Sequence, residues 1–203
     1  MSSAADNKRR EAVRLIACSV FKPLLGHLEF KRRYPNVRIS YLPSNLHVSP
    51  HKLKRYLARE VAAAKRRDER VVCLYGDCFP DIEEFCRRQG ITKVHGFHCY
   101  EMLLGSGEFK RLIDETAGTY FLEQDLIRNF ERYCARPLEL HDEEMRRYCF
   151  EHYTRLIYVR QPSDPDLREE AGRLADFLGL TLEIRDADYS QLENELTELI
   201  STK

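Results

Sequence analysis

Short apolar runs recur along this chain, and stretches with helical spacing separate them. Residues 15–18 (LIAC) form an apolar run after a charged start, and residues 37–43 (VRISYLP) alternate apolar with polar; both predict strands. The run VVCLYG at 71–76 is apolar almost throughout, as a strand buried on both faces of a parallel sheet would be. Between the second and third strands, Leu53, Leu57 and Val61 recur at helical spacing within 50–67. Pro80 and Gly90 bracket a helix over 80–89, the proline at its start and the glycine just past its end. KVHGF at 93–97 and GTYFLE at 118–123 predict a fourth and a fifth strand, with helical stretches near 100–104 and 108–115 between them. Consecutive helices follow over 125–134 and 142–152, with Pro137 between them. RLIYVRQ at 155–161 predicts a sixth strand. A helix with Leu167, Leu174 and Leu178 on its apolar stripe, stopped by Gly179, then leads to an edge strand at 181–186 and a last helix from Tyr189.

Strand and helix alternate from end to end, which predicts a three-layer Rossmann-like α/β sandwich with a mostly parallel sheet and right-handed crossovers. At 203 residues the chain suits a single α/β domain over 1–203, with residues 1–12 as a flexible or helical N-terminal extension. Lys plus Arg and Asp plus Glu both number 33, so no charge bias steers the molecule toward nucleic acid or anionic lipid. No apolar run reaches the length of a membrane span, and the start MSSAADNKRREAVRLIACS lacks the apolar core of a secretion signal. These features predict a cytoplasmic protein with neither nucleic acid nor membrane as partner. Seven cysteines, an odd number without an export signal, then read as reduced thiols, free to act as ligands, nucleophiles or core residues.

Their positions divide them. Cys18 closes the first predicted strand, Cys78 follows Asp77 just beyond the third, and Cys99 follows His98 just beyond the fourth; His47 lies in the loop LPSNLHVSP after the second. The carboxyl ends of strands in an open α/β sheet share one edge, where ligands bind, so these four residues are expected to converge. Thiolate and imidazole together suit zinc, and thiolate also suits an iron–sulfur cluster. Cys78, read as lying at a helix start, is further expected to have a depressed pKa. Each residue has a plainer reading as well: a buried thiol packing as a small hydrophobe, or a loop histidine satisfied by backbone groups. Cys73, inside a strand, and Cys86, Cys134 and Cys149, inside helices, take that packing role.

Asp77, His98 and Glu101 are the candidate catalytic residues around these ligands, and Glu123 and Gln161, at the ends of the fifth and sixth strands, could support them. Gly105-Ser106-Gly107 lacks the spacing of a dinucleotide or P-loop motif, and no GxSxG elbow is present.

Taken together, IACS at 16–19, LPSNLHVSP at 42–50, YGDC at 75–78, GFHCYE at 96–101, the GTYFL strand and RLIYVRQPSDPDL at 155–167 resemble the prokaryotic domain-of-unknown-function 1638 family, frequent in anaerobes. The resemblance extends from about Leu15 to the last helix. Members tend to be encoded near corrinoid-dependent methyltransferases, which implies an accessory or metal-handling role in one-carbon metabolism, with a corrinoid protein or its methyltransferase as partner. It marks Cys18, His47, Asp77, Cys78, His98 and Cys99. After GDC this chain reads FPDIEEF where the family has a glycine-rich segment, a departure that speaks against phosphate-cradling amides beside Cys78.

The expectation is thus a metal-binding protein with Cys18, His47, Cys78 and Cys99 as ligands, zinc first and an iron–sulfur cluster as the alternative. A metal-dependent methyl- or thiol-group transferase, a redox or thiol-transfer enzyme using Cys78 with His98 as base, and a non-enzymatic carrier for a corrinoid protein are the competing activities.

Overall fold

A computed structural model describes residues 11–202. The N-terminal extension expected over 1–12 therefore lies, apart from residues 11 and 12, outside the described residues. The strands are β1 (Val13–Cys18), β2 (Val37–Leu42), β3 (Arg70–Leu74), β4 (Thr92–Lys93), β5 (Thr119–Leu122), β6 (Arg155–Arg160) and β7 (Thr181–Asp186). The helices are α1 (Lys22–His27), α2 (Phe30–Arg33), α3 (Pro50–Lys65), α4 (Ile82–Gln89), α5 (Cys99–Leu104), α6 (Ser106–Glu115), α7 (Gln124–Arg128), α8 (Glu143–Phe150), α9 (Arg168–Leu178) and α10 (Ser190–Ser201).

All strand pairs are parallel and helices flank them, so the Rossmann-like α/β class expected from the alternation holds. The strands form two sheets, however, rather than one: β2-β1-β3-β4 and β5-β6-β7. The break follows from β4, which has only two residues where five were expected. Gly96 sits at φ +121°, a conformation closed to most side chains, and turns the chain out of the sheet before KVHGF can extend the pairing. Another predicted element also divides: the helix expected over 125–134 runs as α7 and then a π turn over Glu131–Ala135.

Burial explains the strands. Every residue of β1 is buried, and Leu15, Ile16 and Ala17 have no exposed surface, as the central strand of a covered parallel sheet requires. Leu53, Leu57 and Val61 of α3 are fully buried over this sheet, the predicted stripe facing the core. At roughly 2 kcal/mol for each fully buried aliphatic side chain, these positions set the first half's stability. In β6 the side chains alternate between two cores. Ile157 and Val159 join the cluster of the first sheet, while Leu156 and Tyr158 join that of the second. Tyr100 of α5 stacks on Phe121 of β5 at 5.4 Å, and α10 returns from the second half to bury Leu192, Leu196 and Ile200 in the first core. The two sheets therefore share packing across α5, β6 and α10. No helix among the described residues is long and apolar enough to cross a membrane.

Candidate functional site

The carboxyl ends of β1, β3 and β5 meet where the two halves join. Cys18 ends β1 and starts a 3-10 turn over Ser19–Phe21, so the Val20 N–H lies on its sulfur. Beyond β3 the chain runs Tyr75-Gly76-Asp77-Cys78, and this segment touches the GFHC loop closely. A Cβ on Gly76 would lie 2.7 Å from the Phe97 carbonyl oxygen and 3.1 Å from the Cys99 nitrogen, so only glycine fits there. The Asp77 N–H donates to the Phe97 oxygen at 2.7 Å and locks the two loops together. Cys99 is the first residue of α5, and the Tyr100 N–H lies on its sulfur.

Cys18, Cys78 and Cys99, expected at one edge, are thus brought together. Cys18 lies close enough to both other thiols for their charges to interact, and Cys99 and Cys78 interact likewise. Burial, ahead of these like charges, pushes Cys18 up to about 12, opposed by the Val20 N–H. Cys78 is pushed up to about 11, by burial first and the Asp77 carboxylate second, with Lys93 opposing. Cys99 retains some open surface, yet burial round its sulfur and then Cys18, Cys78 and Glu123 hold its thiol well above its ordinary range. The expectation of a depressed Cys78 pKa is therefore corrected. Helix α4 starts only at Ile82, after Asp81 at φ +61°, too far on to stabilise a thiolate at Cys78.

Two groups that the sequence did not single out complete the cluster. Tyr75 is 2% exposed, and its hydroxyl lies against the Cys18 sulfur with Cys73 and Cys78 nearby, making no well-aligned hydrogen bond among the described residues. A buried hydroxyl with only sulfur beside it is weakly satisfied, which costs free energy. Its place in an apolar run made it read as core; the only sequence signal was that it is the last residue before the loop. Asp125 acts on Cys18 from the second half. Its Oδ2 accepts a short hydrogen bond from the Ser44 hydroxyl, whose own N–H donates to Ser19 Oγ at 2.8 Å. The ends of β1, β2 and β5 are joined through that chain of contacts.

The remaining predicted residues have other partners. His47 is exposed, and its Nδ1 sits 2.7 Å from the Ser44 carbonyl oxygen, a bond within its own loop. Asp77 pairs with Lys93 at 3.2 Å. His98 caps α5 in extended conformation, with its exposed ring packed on Phe109 at 5.6 Å. Glu101 accepts from the Phe97 N–H at 2.9 Å and the Ser106 hydroxyl at 3.0 Å, shaping the loop that carries Cys99. Gln161 is buried and ties the halves: Nε2 donates to the Val20 oxygen at 3.2 Å and Oε1 accepts from Tyr189 OH at 2.8 Å. Glu123, 1% exposed, caps α7 by accepting from the Asp125 and Leu126 N–H groups at 2.8 and 3.0 Å. Burial is the main reason its carboxyl rises to about 7, with those two bonds opposing and Asp125 and Asp164 adding to the rise. Its charge reaches Cys18 and Cys99.

The donor set is chemically suited to a soft or borderline metal: thiols at the carboxyl ends of parallel strands, two of them under backbone N–H groups. Among the described residues, no three His, Cys, Asp or Glu side chains already stand in an arrangement that could hold a metal ion. Cys73 and Cys86 contact each other in the first core, and Cys134 accepts a weak bond from Tyr120 OH at 3.8 Å, in keeping with packing roles.

A family model described as a protein of unknown function (DUF1638) matches residues 41–196. The match takes in Tyr75, Cys78, Cys99 and Glu123, while Cys18 precedes it. No curated protein and no solved structure matches the chain.

Proposed function

Since the chain belongs to the DUF1638 family, whose description names no activity, we propose from its own residues that it is a metal-binding protein of the cytoplasm with Cys18, Cys78 and Cys99 as ligands. The observation that carries this reading is the meeting of three thiols from separate strand ends, close enough for their charges to interact. Zinc is the first metal, and an iron–sulfur cluster held by the same three cysteines is the alternative. His47 would complete the set by turning from Ser44 toward the thiols.

With zinc bound, the site would supply a Lewis acid able to activate a thiol or accept a methyl-group substrate at an open position. The chain's own part is to hold the sulfurs in a dry setting, to donate Val20 and Tyr100 N–H groups to two of them, and to keep Glu123 beside them as a carboxyl that can carry a proton near neutrality. Such a site suits a role accessory to corrinoid-dependent methyl transfer or one-carbon metabolism, with a corrinoid protein or its methyltransferase as partner.

Anaerobic purification followed by metal analysis and an absorption spectrum tests the reading. The expected result is near-stoichiometric metal that is lost in Cys18→Ser, Cys78→Ser and Cys99→Ser but retained in Cys149→Ser. Colourless protein would identify zinc, and visible absorption a cluster. Protein that stays metal-free after incubation with zinc, and again with iron and sulfide, would overturn it. Co-purification with a corrinoid protein tests the partner separately.

A further inference from the structure

A cleft of about 560 Å³ opens beside the thiol cluster, between the loops that follow β1, β5 and β6. Its wall includes Ser19, Lys22, His27, Glu123, Arg128 and Ser163. The position is the crevice outside the carboxyl ends of parallel strands, where open α/β folds take their ligands, and the volume is that of a small-molecule site. None of the three cysteines lines it, so a ligand in the cleft would rest on residues other than the proposed metal ligands.

Charge decides what the cleft fits. The acidic groups in its wall are already engaged from within the protein. Both Glu123 oxygens accept backbone N–H groups, Asp125 Oδ2 takes the Ser44 hydroxyl, and Asp125 Oδ1 accepts from Asn129 Nδ2 at 2.9 Å. The basic groups are less committed. Lys22, His27 and Arg128 are exposed, and none of them forms an ion pair among the described residues, where many other arginines do; Arg128 donates to the Gln124 side-chain oxygen at 3.2 Å and its charge reaches Asp164, and the His27 ring meets Tyr189 edge-on at 5.8 Å. Lys22 and His27 come from the first half and Arg128 from the second, so the three cations face one space from both sides. A planar guanidinium, an ammonium and two serine hydroxyls are the donors that recognise a carboxylate or phosphate group.

We infer that this cleft binds a small organic anion through a carboxylate or phosphate group held by Lys22, Arg128 and His27. The ligand bridges the two halves, with its remainder against the wall formed by Ser19 and Glu123. This is a binding site separate from the cysteines and next to them, so a molecule held there would be presented to the thiol cluster.

Isothermal titration of the full chain with inorganic phosphate and with succinate, at matched ionic strength, tests the inference. Saturable binding of either one, in the micromolar to millimolar range, is expected, and which one binds identifies the anionic group. The double variant Lys22→Gln/Arg128→Gln should weaken it by at least about tenfold. Gly26→Leu offers a second probe. Gly26 lines the cleft, is exposed on α1 and would place a Cβ with nothing within 4 Å, so the chain folds normally while the added side chain narrows the space and weakens binding. Cys78→Ser should leave anion binding unchanged even though it empties the proposed metal site, which separates failure of one reading from failure of the other. Absence of saturable binding of both anions, or undiminished binding in the double variant, would overturn the inference.

Discussion

In the first sheet the strand ends present sulfur, whereas in the second they present oxygen and amide groups. Cys18 closes β1, with Cys78 and Cys99 just past β3 and β4, while β5 leads into Glu123 and β6 into Gln161. Both sheets are parallel, and each has a close glycine, Gly76 at the carboxyl end of the first and Gly118 at the amino end of the second. The difference is in what each end is for. The first half supplies groups suited to chemistry, held up in pKa by burial. The second half supplies groups that cap, tie or charge the boundary: Glu123 caps α7, Gln161 reaches the Val20 oxygen, and Arg128 faces the cleft. On the proposed reading, one half carries the metal ligands and the other fixes their surroundings.

The two close glycines give the strongest test of that division. A Cβ at Gly76 would meet the Phe97 oxygen at 2.7 Å, and one at Gly118 would overlap the His152 oxygen. Neither glycine has a positive φ, so steric overlap alone carries the cost. Gly76→Ala and Gly118→Ala should each lose roughly 3 kcal/mol in chemical denaturation. Their other consequences differ. Gly76→Ala pushes the Cys78 loop from the Cys99 loop, so metal retention should fall, while Gly118→Ala, at the far end of β5, should leave it intact. Equal loss of metal in both variants would break the division between the halves.

Much of the first half could be read from the sequence because its chemistry follows strand grammar. Cys18, Cys78 and Cys99 each fall where an apolar run ends, and parallel topology brings such positions to one edge. Cys73 and Cys86 could be set aside for the same reason, since they lie within elements. The second half's contribution was less legible because it depends on contacts between distant segments. Ser44 and Asp125 are 81 residues apart, and Gln161 reaches Val20 across 141. Nothing local in either sequence stretch announces the partner. The split into two sheets was hidden in Gly96, whose φ of +121° turns a strand-like pattern away from the ladder. Tyr75 was hidden differently: its ring satisfies the apolar pattern, and only the fold shows its hydroxyl against the Cys18 sulfur.

A smaller effect is expected at Glu123, where the second half's carboxyl meets the first half's thiols. Its folded pKa of about 7 lies above the ordinary carboxyl value of 4.5, so the native state binds the proton more tightly than the unfolded chain does. Its contribution to stability is fully present below 4.5, shrinks as pH rises through this window and is lost above about 7. The groups that face it are Asp125, Asp164 and Tyr158 from its own half and Cys18, Cys99 and Tyr100 from the other. Glu123→Gln removes the titration, at a cost independent of pH, because its amide nitrogen cannot accept the second backbone N–H. Denaturation at a series of pH values should show the native protein losing on the order of 2 kcal/mol relative to the variant between about pH 5 and 7. Parallel curves for the two proteins would mean that Glu123 does not sense its burial beside the thiols.

The smallest effect is expected at the seam itself. Ser44 is buried after β2, donates its hydroxyl to Asp125 and its N–H to Ser19, and so couples the end of the first sheet to the start of α7. Ser44→Ala removes the hydroxyl and retains the backbone bond to Ser19. Asp125 keeps its bond from Asn129 Nδ2 and is only half-buried, so water can reach the vacated oxygen. That limits the loss to about 1 kcal/mol. If the halves are coupled through this contact, the consequence should appear at the boundary before it appears in the cores. Amide exchange at Asp125 and Leu126 in α7 should quicken in the variant, while exchange in β1 and β6 keeps its native rate. Exchange that quickens equally in β1 would show instead that Ser44 supports the first sheet alone, and that the contact with Asp125 is not what holds the thiol-bearing half against the second sheet.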